Sequence, residues 1–198
     1  MALQPSVLLI AGSPSQQSRS SGLLDWVSQR LEQHGHTVDR LHIRELPAAA
    51  LLLADWTHPA VVRAIAQVAR ASVVVVATPV YKAAYSGVLK VFLDLLPQTA
   101  LKGKTLLPLA TGGSPHHMLA LDYALRPVLQ SLSARHILPG VYATDAQVLP
   151  SGDGGYAPGP DISTRLDDAV ATLMLESFRA PATTGFEPVP FSRVRCSV

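Results

Sequence analysis

The chain has 198 residues and almost no cysteine: Cys196 is its single thiol. One thiol excludes an internal disulfide framework, and this usage fits a reducing cytoplasm. In a terminal segment without regular patterning, Cys196 reads as an incidental thiol more readily than as a redox group. No apolar run approaches the roughly 20 residues that a membrane-crossing helix needs. No basic stretch followed by a long apolar run opens the sequence, so a secretory signal is not expected. Charge is also scarce. Lys and Arg number 16 against 14 Asp and Glu, a net +2, which argues against a nucleic-acid surface. The chain lacks both G-x-x-x-x-G-K-[ST] and G-x-G-x-x-G, which disfavours a nucleoside triphosphate and a Rossmann-bound dinucleotide. Metal chemistry has no support either. His116 and His117 are adjacent, so on a helix they point in different directions, and no further ligand stands at a useful spacing.

What the chain has in quantity is apolar residues, 48% of the total, in segments that alternate between two periods. Val7 to Ala11 reads as a short buried strand. Ser20 to Gln33 reads as a helix with Leu23, Leu24, Val27 and Leu31 on one stripe. Gly35 stops that helix, and Thr37 to Ile43 reads as a second strand. The connection from Arg44 to Thr57 has no clear pattern. Pro59 fits the first turn of a helix running to Arg70. Ser72 to Thr78 is a third strand whose β-branched run, Val73 to Val76, suits the centre of a parallel sheet.

A helix opens at Ser86-Gly87, with Leu89, Phe92, Leu93 and Leu96 as its apolar set. Thr105 to Ala110 reads as a fourth strand, Met118 to Ser133 as a helix, and Ile137 to Ala143 as a fifth strand. Residues 150–160 read as a Gly- and Pro-rich loop, and Asp161 to Phe178 as a last helix. This alternation predicts an α/β fold, a flavodoxin-like doubly wound five-stranded parallel sheet flanked by helices. The order 2-1-3-4-5 is a fold-level expectation. One domain is expected over residues 1–180, with residues 181–198 a loose tail.

In such a sheet ligands bind beyond the C-terminal ends of the strands, and three loops leave that edge. The first, Gly12 to Ser21, holds several hydroxyls and Arg19 ahead of a helix N-terminus. It suits a phosphate and equally a capped helix with a solvated arginine. The second, Pro79 to Ser86, brings Tyr81 and Tyr85 toward the edge, with Pro79 fixing a tight exit from the strand. The third, Thr111-Gly112-Gly113-Ser114-Pro115, lets backbone approach a ligand closely and reads equally as an ordinary turn. One phosphate loop and two rim loops fit a mononucleotide with a flat ring, for which FMN is the natural candidate. Lys90 and Asp94 form a helix-face pair worth only a few tenths of a kcal/mol, in the range of ~0.2–0.5. Arg126 is left between a cofactor phosphate and a neighbouring subunit.

The ordered set Ala11-Gly12-Ser13-Pro14, Ser18 to Leu24, Ala77 to Lys90 and Leu109 to Gly113 closely resembles the NAD(P)H-dependent FMN reductases. Within them it is most similar to the reductases of two-component alkanesulfonate monooxygenase systems. The resemblance runs from about residue 6 to residue 178. It implies a flavodoxin-like enzyme that reduces FMN with NADPH or NADH and hands reduced flavin to a flavin-dependent alkanesulfonate monooxygenase. It implies that Ser13, Ser18, Arg19 and Ser20 hold the FMN phosphate. Pro79, Val80, Tyr81 and Lys82 would line the isoalloxazine, with Thr111, Gly112 and Gly113 on its other side. Ser86 and Lys90 would be structural.

Tyr123, in Asp122 to Pro127, matches the position at which this subfamily carries an inserted helix residue. The insertion makes a π-type bulge at a tetramer interface and keeps flavin exchangeable. Read from its own residues alone, Tyr123 is a helix tyrosine packed on the core. The resemblance implies direct hydride transfer from nicotinamide to flavin, so no catalytic acid or base is expected. Two rival functions are an FMN-retaining quinone or azo reductase and a flavodoxin-type electron carrier. Such carriers are usually strongly acidic, and this chain is not.

Overall fold

The computed structural model describes residues 6–152 and 154–177. The expected tail at 181–198 lies outside them. The central strands are β1 (Val7–Ala11), β2 (Val38–His42), β3 (Val73–Tyr81) and β5 (Thr105–Gly112), with β6 (His136–Ile137) and β7 (Val141–Thr144) at one edge. All of these pair in parallel, in the order β2-β1-β3-β5 followed by the β6/β7 edge. Counting that edge as one strand gives the expected 2-1-3-4-5. Central β3 pairs with β1 on one side and β5 on the other. Val73 to Val76 are buried on both faces, which is why their sequence shows no alternation.

Helices cover both faces. On one, α3 (Pro59–Arg70), α4 (Gly87–Leu93) and α5 (Arg126–Ser131) pack over Leu8, Ile10, Val74, Val76 and Leu106. On the other, α1 (Arg19–Gln33) and α6 (Pro160–Ser177) cover Val7, Leu9, Val73, Val75 and Leu107. Burial of one such Val or Leu side chain contributes about 1.5–3 kcal/mol, so the two cores dominate the stability. Helix starts follow ordinary capping. Ser18 Oγ accepts from Ser21 N–H at 3.1 Å, and Ser86 Oγ accepts from Leu89 N–H at 3.1 Å. His58 Nδ1 accepts from Ala60 N–H at 3.2 Å, ahead of Pro59 at the first turn of α3.

Five segments differ from the sequence expectations, one of them the fifth strand, expected over Ile137 to Ala143 and found as β6 and β7 either side of residues 138–140. The unpatterned connection 44–57 contains a short helix, α2 (Ala48–Leu52). β3 does not stop at Thr78. It continues through Pro79 to Tyr81 and folds back in a two-residue hairpin onto β4 (Ala84–Tyr85). Pro79 is tolerated because it stands opposite Thr111 at the last register position of the parallel ladder. The segment 118–133 is not one regular helix. A 3₁₀ turn at Pro115–His117 leads into a π-helical turn at Ala120–Leu125, and only then into α5. Residues 150–160 contribute to an antiparallel pair, β8 (Val148–Pro150) with β9 (Tyr156–Pro158), that lies against α1. No described helix is long and apolar enough to cross a membrane.

Candidate functional site at the C-terminal sheet edge

The three loops converge, with the turn after β7 and the β8–β9 pair, on one open cleft of about 260 Å³. Its polar end comes from the first loop. Ser15, Gln17, Ser18 and Arg19 line it. Ser18 Oγ lies 2.8 Å from Ser21 Oγ and 3.2 Å from Ser20 Oγ, so hydroxyls crowd the α1 N-terminus. The unpaired N–H groups and helix dipole there favour an anion. Arg19 is held by structure: its Nε donates to the carbonyls of Asp145 at 3.2 Å and Val148 at 3.3 Å. Its guanidinium lies over the Tyr156 ring, 4.8 Å from the centroid, and 3.9 Å from the Asp145 carboxylate.

Pro79, Val80 and Tyr81 form one side of the cleft, and Thr111, Gly112 and Gly113 the other. The two sides belong to adjacent strand ends, since Pro79 pairs with Thr111. Val80 is buried while Tyr81 is about half exposed at the rim. The polar groups behind this wall are tied together. Ser86 Oγ donates to the Gly12 carbonyl, Ser86 N–H donates to Thr78 Oγ1 at 3.0 Å, and Thr78 Oγ1 donates to the Pro79 carbonyl at 3.0 Å. Ser86 therefore fixes the first and second loops relative to each other.

Of the residues singled out from sequence, Ser18, Arg19, Pro79, Val80, Tyr81, Thr111, Gly112 and Gly113 come together on this cleft. Ser13 and Ser20 are buried behind it. Ser13 Oγ accepts from Ser15 N–H at 3.1 Å and so shapes the loop from within. Lys82 is exposed at the tip of the β3–β4 hairpin. Tyr85 packs against the core, where burial pushes its hydroxyl pKa up. Tyr123 lies in the π-helical turn, 79% exposed, with Met118 and Leu119 also exposed nearby in sequence. Lys90 and Asp94 form their helix-face pair at 2.6 Å, and that bond raises the Lys90 pKa.

Sequence reasoning missed Asp145 and Tyr156. Asp145 had a usable signal, because it follows the last parallel strand on the ligand edge. For Tyr156 the signal was Gly22: a Cβ there would stand 2.4 Å from the Tyr156 carbonyl oxygen. Only glycine lets the β8–β9 pair settle on α1. A larger hollow of about 600 Å³ lies between α1 and α6, away from the strand ends and their loops. Among the described residues no three His, Cys, Asp or Glu side chains cluster to hold a metal.

The residues at this cleft fit a phosphate-bearing flat ring: donors lie at one end, and a narrow wall of buried Val80 and small Gly112 and Gly113 lies beyond. Comparison with known proteins agrees. A family model described as NADPH-dependent FMN reductase matches residues 5–148. The FMN reductase (NADPH) of Escherichia coli (strain K12) is 47% identical over 169 residues, covering 84% of this chain and 87% of that protein. The NADH-dependent FMN reductase SfnE of Pseudomonas putida is 33% identical over 153 residues, 75% of this chain and 81% of its own. The crystal structure of an apo NADH:FMN oxidoreductase (EMOB) superposes with a TM-score of 0.80 at 36% identity, covering 96% of this chain and 100% of that one. On this combined ground, the chain belongs to the NADPH-dependent FMN reductase family.

Proposed function

We propose that this protein is an NAD(P)H:FMN oxidoreductase that handles FMN as an exchangeable substrate and supplies reduced flavin to a flavin-dependent alkanesulfonate monooxygenase of sulfonate-sulfur assimilation. The observation that carries the reading is the convergence of three loops on one open cleft, with anion donors at one end and a wall of buried side chain and glycine at the other. The cleft is open to solvent, with Tyr81 about half exposed at its rim, which leaves one face of a bound ring accessible. That open face suits both a stacking nicotinamide and release of the product.

In this reading Ser15, Gln17, Ser18 and Arg19 hold the phosphate, and Ser13 and Ser20 set the loop that presents them. Pro79, Val80 and Tyr81 face the ring on one side, Thr111, Gly112 and Gly113 on the other, and Lys82 reaches ligand from the rim. FMN supplies the hydride-accepting centre. The protein orients the two rings and excludes water, and no side chain has to move a proton. Arg19 enters the site already oriented by the carbonyls of Asp145 and Val148, so little side-chain entropy is lost when an anion arrives.

The monooxygenase partner rests on the sequence resemblance to reductases of that system, and the cytoplasm is where a nicotinamide-consuming reductase finds its coenzyme regenerated. The exposed Tyr123 with Met118 and Leu119 supplies an apolar face for a second copy of the chain, consistent with a tetramer. Gel filtration of FMN-loaded protein at low concentration tests the exchangeable-flavin reading. Flavin eluting apart from protein is expected. Stoichiometric flavin co-eluting through successive dilutions would refute it in favour of a bound-flavin reductase or carrier.

A further inference from the structure

The edge strand of the sheet carries one extra residue, and its consequence reaches the flavin-facing loop. Thr105 stands opposite His136 and Leu106 opposite Ile137. Three positions on, Leu109 stands opposite Val141 and Ala110 opposite Tyr142. Two residues of β5, Leu107 and Pro108, therefore face three of the edge strand, Leu138, Pro139 and Gly140. This is a bulge, and because side chains alternate with period two, one extra residue inverts every side chain beyond it. Ile137 packs on the α3/α4/α5 face and Leu138 on the α1/α6 face. After the bulge Val141 and Ala143 lie on the α1/α6 face and Tyr142 on the other. In unbroken register Tyr142 would point under α6.

Inverted, Tyr142 lies beneath the third loop. Its hydroxyl donates to the Ser114 carbonyl at 2.5 Å. A Cβ on Gly112 would meet that hydroxyl at 2.6 Å and Val80 Cβ at 3.2 Å. Tyr142 thus bears on the end of β5, the Gly112 side of the cleft. Burial, with the Asp145 carboxylate nearby, pushes its pKa up, so it remains a hydrogen-bond donor. The bulge is itself held from the π-helical turn. Arg126 Nη1 and Nη2 donate to the carbonyls of Ile137 at 3.1 Å and Leu138 at 3.3 Å, while its Nε donates to Asp122 at 2.9 Å. Gly140 gives room to Leu121: a Cβ there would lie 2.8 Å from Leu121 Cδ1.

We propose that the Leu138–Gly140 bulge exists to set the Gly112–Ser114 loop through Tyr142, so that Tyr142, and Arg126 behind it, are positioning residues of the flavin site. The proposal rests on the flavin reading above. It also joins the π-helical turn to the cleft, by hydrogen bonds from Asp122 through Arg126 to the bulge carbonyls, then along the backbone to Tyr142 and by its hydroxyl to Ser114.

The test is a double-substitution cycle read by FMN dissociation constants, from quenching of flavin fluorescence, on the full chain. Tyr142→Phe keeps the ring and removes the hydroxyl. It is expected to weaken FMN about fivefold to tenfold, the effect of one lost hydrogen bond. Gly112→Ala is expected to weaken FMN more. Tyr142→Phe combined with Gly112→Ala is expected to bind more tightly than Gly112→Ala alone, because the oxygen the methyl strikes is gone. Arg126→Lys is expected to weaken FMN without adding to Tyr142→Phe. A merely structural tyrosine would lower the melting temperature with no such suppression. Unchanged FMN affinity in Tyr142→Phe, or additive effects in the cycle, would overturn the proposal alone. Failure of the wild-type chain to bind FMN would overturn the reading beneath it.

Discussion

Lys82 and Ala83 show what a single residue costs and where. Both occupy left-handed backbone, with φ of 51° and 65°, as the two central residues of a hairpin turn. That conformation matches the twist of the flanking strands, and it ordinarily selects Asn or Gly. Neither residue here relieves the clash of Cβ with the following carbonyl, which costs about 1–2 kcal/mol per residue. Replacing Ala83 by Gly is therefore expected to stabilise the fold by about 0.5–1 kcal/mol after the added chain entropy of glycine. Thermal unfolding would show a melting temperature higher by a few degrees, about 2–4 °C per kcal/mol at this chain size. An unchanged or lower value would remove strain from the account. This turn was invisible in the sequence, because the string Tyr81-Lys82-Ala83-Ala84 contains no residue that announces positive φ.

Elements were legible where one period dominated and illegible where two requirements met. β1 and α3 fall where their patterns place them, because a short apolar run followed by a turn and a proline-led amphipathic segment each admit one reading. Ile137 to Ala143 reads as one strand because apolar residues flank Pro139-Gly140 on both sides; the bulge at that pair changes which face they occupy without changing how apolar they are. By periodicity alone the segment after β5 reads as a regular helix, since a π-helical turn needs only one additional residue, which composition does not record; the resemblance at Tyr123 is what points to the turn found at Ala120–Leu125. At the site, the loops were readable because strand ends fix where they emerge. Tyr142 is not, since the bulge that turns it toward the third loop changes its register; Asp145 and Tyr156 carry only the indirect signals of strand-end position and of Gly22.

The contact between α1 and α6 belongs to the same scale. Asp167 on α6 accepts from Trp26 Nε1 at 2.8 Å and from Arg30 Nε at 2.8 Å on α1. The Arg30 bond, with Trp26 adding to it, holds the Asp167 carboxyl below its usual value. A lowered folded-state pKa means stability present above the unfolded value, about 3.9, and lost as pH falls through the folded one. Asp167→Asn is expected to destabilise by about 1 kcal/mol or less at neutral pH, because the pair is largely solvated. In denaturant titrations the difference from wild type should shrink below about pH 4. A difference that stays constant to pH 2.5 would contradict this assignment.

In the proposed function, flavin exchange and assembly meet at the segment after β5. The π-helical turn exposes Tyr123 while its inner residues, Leu121 and Leu125, enter the core. Its carboxylate Asp122 reaches the sheet edge through Arg126. Tyr123→Ser should shift sedimentation toward a smaller species at micromolar protein, with the fold intact by circular dichroism. An unchanged sedimentation coefficient would separate Tyr123 from assembly.

The central claim is that FMN is a substrate drawn into the cleft and released reduced. The most direct measurement is anaerobic NADPH and NADH oxidation by flavin-free protein given a large excess of FMN. The account predicts many FMN molecules reduced per subunit, and no oxidation without added flavin. A halt after one flavin per subunit would contradict it.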